Sequence, residues 1–203
     1  MNWSLVTIYL FCRVIWSYEF KGRLFHRLWK KVHLLGEKEA DAVGKYQQRL
    51  ETAENYAGVW QRVKDTVESS LCKRGGGMML FLDDLPLQLG AYHPLGTNNI
   101  VLNRSLVEVV EAQEKSKLVV NALVYNLLLH EYLHALGELS EDAVKRLVVM
   151  VARKSFGAEH TATVIAHKSP WVLLRNIPVF ATNAPKRVIQ IVKDFEKTGK
   201  YIV

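Results

Sequence analysis

Runs of apolar and polar residues divide the chain into stretches of different texture. Leu5 to Cys12 is a continuous apolar run that Arg13 ends, well short of the ~20 residues a membrane-spanning helix needs. No basic residue precedes it and no small-x-small site follows, so a buried strand or helix is expected rather than a targeting segment. In Phe20–Val32 apolar and aromatic positions share one helical side and basic residues occupy much of the rest. From Glu37 to about Leu71 the chain is polar with one apolar seam. Val43, Tyr46, Leu50, Ala53, Ala57, Trp60, Val63 or Lys64, and Val67 recur at steps of three and four, which predicts one long helix packed along a single face, across a domain surface or in a short coiled coil. Lys73-Arg74-Gly75-Gly76-Gly77 breaks that pattern and reads as a linker.

After the glycines the period shortens. Met78–Leu82 reads as a short buried strand closed by Asp83-Asp84-Leu85-Pro86, and Asn99–Asn103 as a second strand. Leu89–Pro94 leads into a turn at Gly96-Thr97-Asn98, so a hairpin or two neighbouring strands are expected. Ser105 is placed to cap a short helix through Glu111. The stretch from about Leu118 to Leu136 is apolar on nearly every side, as a helix buried all round must be. Gly137 ends it, and Ser140 is an N-cap for the next helix, Glu141 to about Lys154. A short helix over Thr161–His167 and an amphipathic one over Lys186–Lys197 complete the pattern. The fold class this predicts is α+β, mainly helical. Its expected parts are a helical, basic and aromatic appendage over residues 1–75, a compact domain over 76–170, and a basic helical tail over 171–203.

Composition changes this picture little. An apolar share of 49% is ordinary for a globular protein. Two cysteines, Cys12 and Cys72, form no disulfide framework, so a reducing compartment, the cytoplasm, is expected. Charge adds more. The net charge is +7, and through Leu35 six basic residues face Glu19 alone. Arg23, Arg27, Lys30 and Lys31, interleaved with Phe25 and Trp29, suit phosphate contacts with base stacking, as in RNA or a ribonucleoprotein, or an anionic membrane surface. A solvated amphipathic helix packed on the main domain accounts for the same residues.

The densest chemistry lies inside the apolar helix, as His130-Glu131-Tyr132-Leu133-His134. Residues four apart project from one helix face, so two imidazoles are placed to bind one Zn²⁺ at about 2.0–2.1 Å. Glu131 lies between them, where a carboxylate that does not bind the metal can take a proton from water held there.

With this motif the chain resembles the zincin metallopeptidases. Gly90-Ala91-Tyr92 and Asn99-Ile100-Val101-Leu102-Asn103 resemble the strand that precedes their active-site helix. From about Met78 to Pro170 the likeness is to minimal-domain members, the minigluzincins and SprT-like proteases, and to archaeal proteins carrying His-Glu-Tyr-Leu-His. It covers less than half of the chain. It implies a small zincin-like domain over 76–170, a zinc cofactor, a peptide or protein substrate and a third protein ligand. In metzincins that ligand would fall at Ser140, a poor zinc donor. His160, where a loop enters a helix as in SprT-like proteases, is the favoured third ligand, and Glu141, in the gluzincin manner, is the alternative. The resemblance further implies that an extended peptide pairs with Asn99–Asn103 as an edge strand. Tyr92 and His93 are candidates for a place behind the ligands, His93 being read equally as substrate-facing or as a surface residue. Two functions are expected: a zinc metallopeptidase with Glu131 as general base, or a zincin-fold protein docked through its basic terminal segments.

Overall fold

The computed structural model describes residues 30–31, 40–174 and 187–196. The chain divides into two compact units, Met1–Asp41 and Ala42–Val203, and the second contains the motif. The boundary therefore falls near residue 42 and not near 76. The helix that follows shows why. Helix α1, Tyr56–Leu71, buries Val59, Trp60, Val63 and Val67 completely or nearly so, and it packs on the motif helix. The single seam read from the sequence thus faces the main core rather than a coiled-coil partner.

The expected continuous helix over 37–71 is broken. Residues 42–51 are helical, but Asn55 is extended and its side-chain oxygen accepts the Gly58 N–H at 2.9 Å. A local N-cap of this kind starts α1 afresh. The turn between is held by Asn121, whose buried amide donates to the Leu50 and Ala53 carbonyls at 2.9 and 3.0 Å. The glycine stretch is pinned as well. Tyr132 Oη accepts the Gly75 N–H at 2.6 Å and donates to the Gly75 carbonyl at 2.8 Å.

Among the described residues, four strands form one mixed sheet. They are β1 (Met79–Asp83), β2 (Ala91–Tyr92), β3 (Asn99–Asn103) and β4 (Gln190–Ile191), in the order β2-β3-β1-β4. β1 and β3 run parallel with Met79 opposite Asn99, while β2 pairs antiparallel with β3 and β4 antiparallel with β1. The expectation of a helix over 186–197 is overturned here. Val188, Ile189 and Ile191 are β-branched and pair more readily in a strand than they helicise. The segment is anchored beyond β4 by Phe195, which is buried and stacks on Trp60 at 5.0 Å, and by Glu196, which meets Lys64 Nζ at 2.7 Å. Residues 187–196 are thus anchored on the core through Phe195 and Glu196 and are not a detached tail.

After the sheet come α2 (Arg104–Glu114), α3 (Lys117–Ala135), α4 (Glu141–Phe156), α5 (Thr161–Lys168) and a 3₁₀ turn at Pro170–Leu174. The architecture is α+β and mainly helical, as the pattern predicts. α3 is its axis. It touches α1, α2, α4, α5, β2 and β3, so Asn121–Leu129 is buried on every side and no amphipathic stripe is needed. Gly90, just before β2, lets the sheet approach it: a Cβ there would lie 2.5 Å from Leu127 Cδ2.

Candidate metal centre

α3 ends where the chemistry begins. Gly137, with φ of +98°, turns the chain out of the helix, a conformation that costs glycine little. Its N–H bonds the His134 carbonyl at 2.9 Å, and the Glu138 N–H bonds that of Leu133 at 3.1 Å. Three residues later Ser140 caps α4, accepting the Ala143 N–H at 3.3 Å. This short connection brings Glu141, the first residue of α4, back over the last turn of α3.

Three donor groups converge there. His130 Nε2 and His134 Nε2 are 3.2 Å apart, Glu141 Oε1 is 3.1 Å from His134 Nε2, and Glu141 Oε2 is 3.3 Å from His130 Nε2. Donors at 2.0–2.1 Å in a tetrahedron are about 3.3 Å from one another, the spacing of the two imidazole nitrogens, and one ligand atom from each of the three residues lies within 4.8 Å of the others. The proton inventory points the same way. His134 Nδ1 lies 2.7 Å from the Glu138 carbonyl, which can only accept, so Nδ1 carries the hydrogen and Nε2 of the neutral ring offers a lone pair. Lone pairs and a carboxylate crowded together repel unless a proton or a cation lies among them. Burial holds the His130 imidazole below its usual pKa, opposed by Glu141, which favours the neutral ligand form. Glu141 is exposed, so the face opens to solvent.

Glu131 is nearly buried, at 7% exposure, and is not one of the three converging donors. Burial pushes its carboxyl up to about 7, against the opposing influence of His134 and of the His93 backbone. His93 thus reaches the site by its main chain. Its imidazole Nδ1 lies 2.9 Å from the Asn99 carbonyl, across the β2–β3 hairpin. Tyr92 is partly exposed on β2, opposite Val101.

Two expectations are corrected. His160 does not join the cluster, and the alternative Glu141 does. His160 is the N-cap of α5, accepting the Ala162 N–H on Nδ1 at 3.1 Å, and its ring stacks on Phe156 at 5.0 Å. Phe156 and Glu141 are the two ends of α4, which its 16 residues set about 22 Å apart. The loop-to-helix position of His160 is as read, but at the wrong end of the helix for the metal centre. The second correction concerns Asn99–Asn103. It is not an edge, because β2 and β1 flank it, and Ile100, Val101 and Leu102 are buried. Asn103, fully buried, donates to the Leu85, Pro86 and Leu89 carbonyls at 2.8–3.0 Å and caps α2 through the Leu106 N–H. It staples the sheet and faces no substrate.

The Glu138 carbonyl is the site component that sequence reasoning missed. A main-chain acceptor leaves no mark on residue type, and only the length of the Gly137–Ser140 turn hints at it. Of the basic residues, Arg23 and Arg27 lie outside the described residues, as do Arg175, Lys186, Lys197 and Lys200, while Lys30 and Lys31 are helical and exposed. Arg187 is committed to Asp84 and Glu108 at 2.7–3.1 Å. No helix among the described residues is long and apolar enough to cross a membrane. No family model, curated protein or solved structure matches the chain.

Proposed function

We propose that the chain is a zinc-dependent metallopeptidase of zincin type, with His130, His134 and Glu141 as ligands and Glu131 as general base. The observation that carries this reading is the convergence of two imidazole nitrogens 3.2 Å apart with the Glu141 carboxylate, whose two oxygens lie 3.3 and 3.1 Å from His130 Nε2 and His134 Nε2. Zn²⁺ held there would supply Lewis acidity, lowering the pKa of water and polarising a substrate carbonyl. Glu131 would take a proton from water at the site and pass it to the leaving amine. Glu138 fixes the His134 ring through its carbonyl. An extended peptide pairs with the sheet at β2, the terminal strand beside Glu131, and not at β3.

The alternative, a docking protein on RNA, a ribonucleoprotein or a membrane, leaves a buried acid beside two histidines without a task. It also loses Arg187 to internal ion pairs. The test is zinc content together with cleavage of an unfolded-protein or peptide library by the zinc-loaded protein and by Glu131→Gln. About one zinc per chain, with cleavage that falls by roughly 10²–10⁴ in the variant, is the expected result. Zinc bound with no cleavage by either protein would move the chain to the docking reading.

A further inference from the structure

We infer that Lys145 selects the substrate: its ammonium group is the receptor for a carboxylate on the peptide, so the site takes acidic substrates. The inference rests on the metallopeptidase reading and adds to it the chemistry of what is cut. Lys145 lies one turn along α4 from Glu141, so the two side chains share a helix face. Helical side chains lean back toward the N-terminus, and the N-terminus of α4 is where Glu141 closes the cluster. The ammonium group is therefore carried toward the rim of the metal centre and not away from it. Its charge reaches the site, where it opposes protonation of the His130 ring.

A lysine four residues after a glutamate on an exposed helix face ordinarily pairs with it. Here that partner is taken. Glu141 turns its oxygens to His134 and His130, at 3.1 and 3.3 Å, and Lys145 makes no hydrogen bond or ion pair among the described residues. Asp142, three residues back and also exposed, is not bonded to it either. A divalent cation in the cluster would outweigh the single charge of Glu141, so the open face would carry surplus positive charge with Lys145 beside it. Like charges side by side repel, and a carboxylate settling between them relieves both. An Asp or Glu side chain near the scissile bond has this chemistry, and so has the α-carboxylate of a chain end. A lysine or arginine at the same place is repelled. Lys145 and Glu141 are both exposed, so a substrate on the open face of the cluster meets the ammonium group without any rearrangement.

The test uses the full chain, zinc-loaded, with Glu131→Gln as the parent so that peptides bind without being cut, and reads their affinity by fluorescence anisotropy. Against a neutral amidated peptide, three sets separate the sources of charge. One carries a single glutamate moved through each position, one a single lysine moved likewise, both amidated, and the third is neutral with a free α-carboxylate. The best glutamate position or the free chain end should tighten binding on the order of tenfold over the neutral amide. Lys145→Gln should remove that preference, and Lys145→Glu should invert it toward the lysine set. The zinc affinity of Lys145→Gln, by competition with a chromophoric chelator, should stay within a few-fold of the parent. Ratios of kcat/KM for the same peptides, with Glu131 restored, should show the same inversion. No preference in the parent, a glutamate preference that survives in Lys145→Glu, or a zinc loss in Lys145→Gln as large as its loss of peptide affinity would overturn the inference. The metallopeptidase reading then stands wherever wild type still cuts the neutral peptide. Wild type that takes up no zinc, or cuts none of the peptides, overturns both.

Discussion

At the scale of single residues, the two candidates for the third ligand, Glu141 and His160, separate by what each can touch. Glu141 meets both ring nitrogens, so Glu141→Gln, which keeps the shape and removes the charge, should weaken zinc binding strongly in a chelator titration. His160 is the contrasting case. It caps α5 and packs on Phe156, so His160→Ala should leave zinc affinity within a few-fold of wild type while costing about 0.5–2 kcal/mol for the lost cap. Urea unfolding beside the titration reads both quantities, and a zinc loss in His160→Ala with none in Glu141→Gln would reverse the ligand assignment.

At the scale of elements, the centre depends on how closely β2 sits against α3. A methyl group at Gly90 would intrude on Leu127, which is itself nearly buried. Gly90→Ala should therefore cost about 1–3 kcal/mol as an overpacked contact. Because β2 carries the His93 backbone toward Glu131, it should lower activity more than zinc content. Combining it with Leu127→Ala should cost less than the sum of the two single changes, since the shorter side chain vacates the disputed space. Strict additivity of the unfolding free energies would show that the strand does not press on the helix there.

The whole molecule is closed by a segment distant in sequence. Phe195 completes the aromatic stack on Trp60, whose other neighbour is Tyr132 of the motif helix at 4.8 Å. Phe195→Ala should cost about 3–5 kcal/mol, the usual range for a buried phenylalanine, measured by denaturant unfolding; a cost below 1 kcal/mol would make residues 187–196 a dispensable tail. At the other end of the same segment, Arg104 and Arg187 hold the Asp84 carboxyl well below the usual carboxylate range, Ser105 adding a hydrogen bond. A depressed folded-state pKa stabilises above the unfolded value of about 3.9 and is lost as pH falls below it. The stability of wild type should accordingly drop between about pH 5 and pH 2 more steeply than that of Asp84→Asn, and the two should converge in acid. Parallel profiles would mean that the ion pairs carry no net stability.

Local chemistry decided most of the elements, and with them two of the three members of the cluster. A motif of period four on an apolar helix places His130 and His134 together whatever surrounds them, because 3.6 residues per turn leave no other outcome. Gly137 and Ser140 announce the turn that follows, since only certain residues accept a positive φ or cap a helix. The third member of the cluster was not legible. Glu141 and His160 both begin helices, and which of them returns to the site depends on the length of the connection and the direction of α4. The interior place of β3 and the strand at Gln190–Ile191 were hidden for a related reason. Pairing can join segments more than a hundred residues apart, as Leu82 meets Gln190, and a strand's own residues do not record its neighbours. α1 shows the same limit, because its seam is plain in the sequence but the surface it covers, and so the boundary of the compact unit, is set only when the chain has closed around α3.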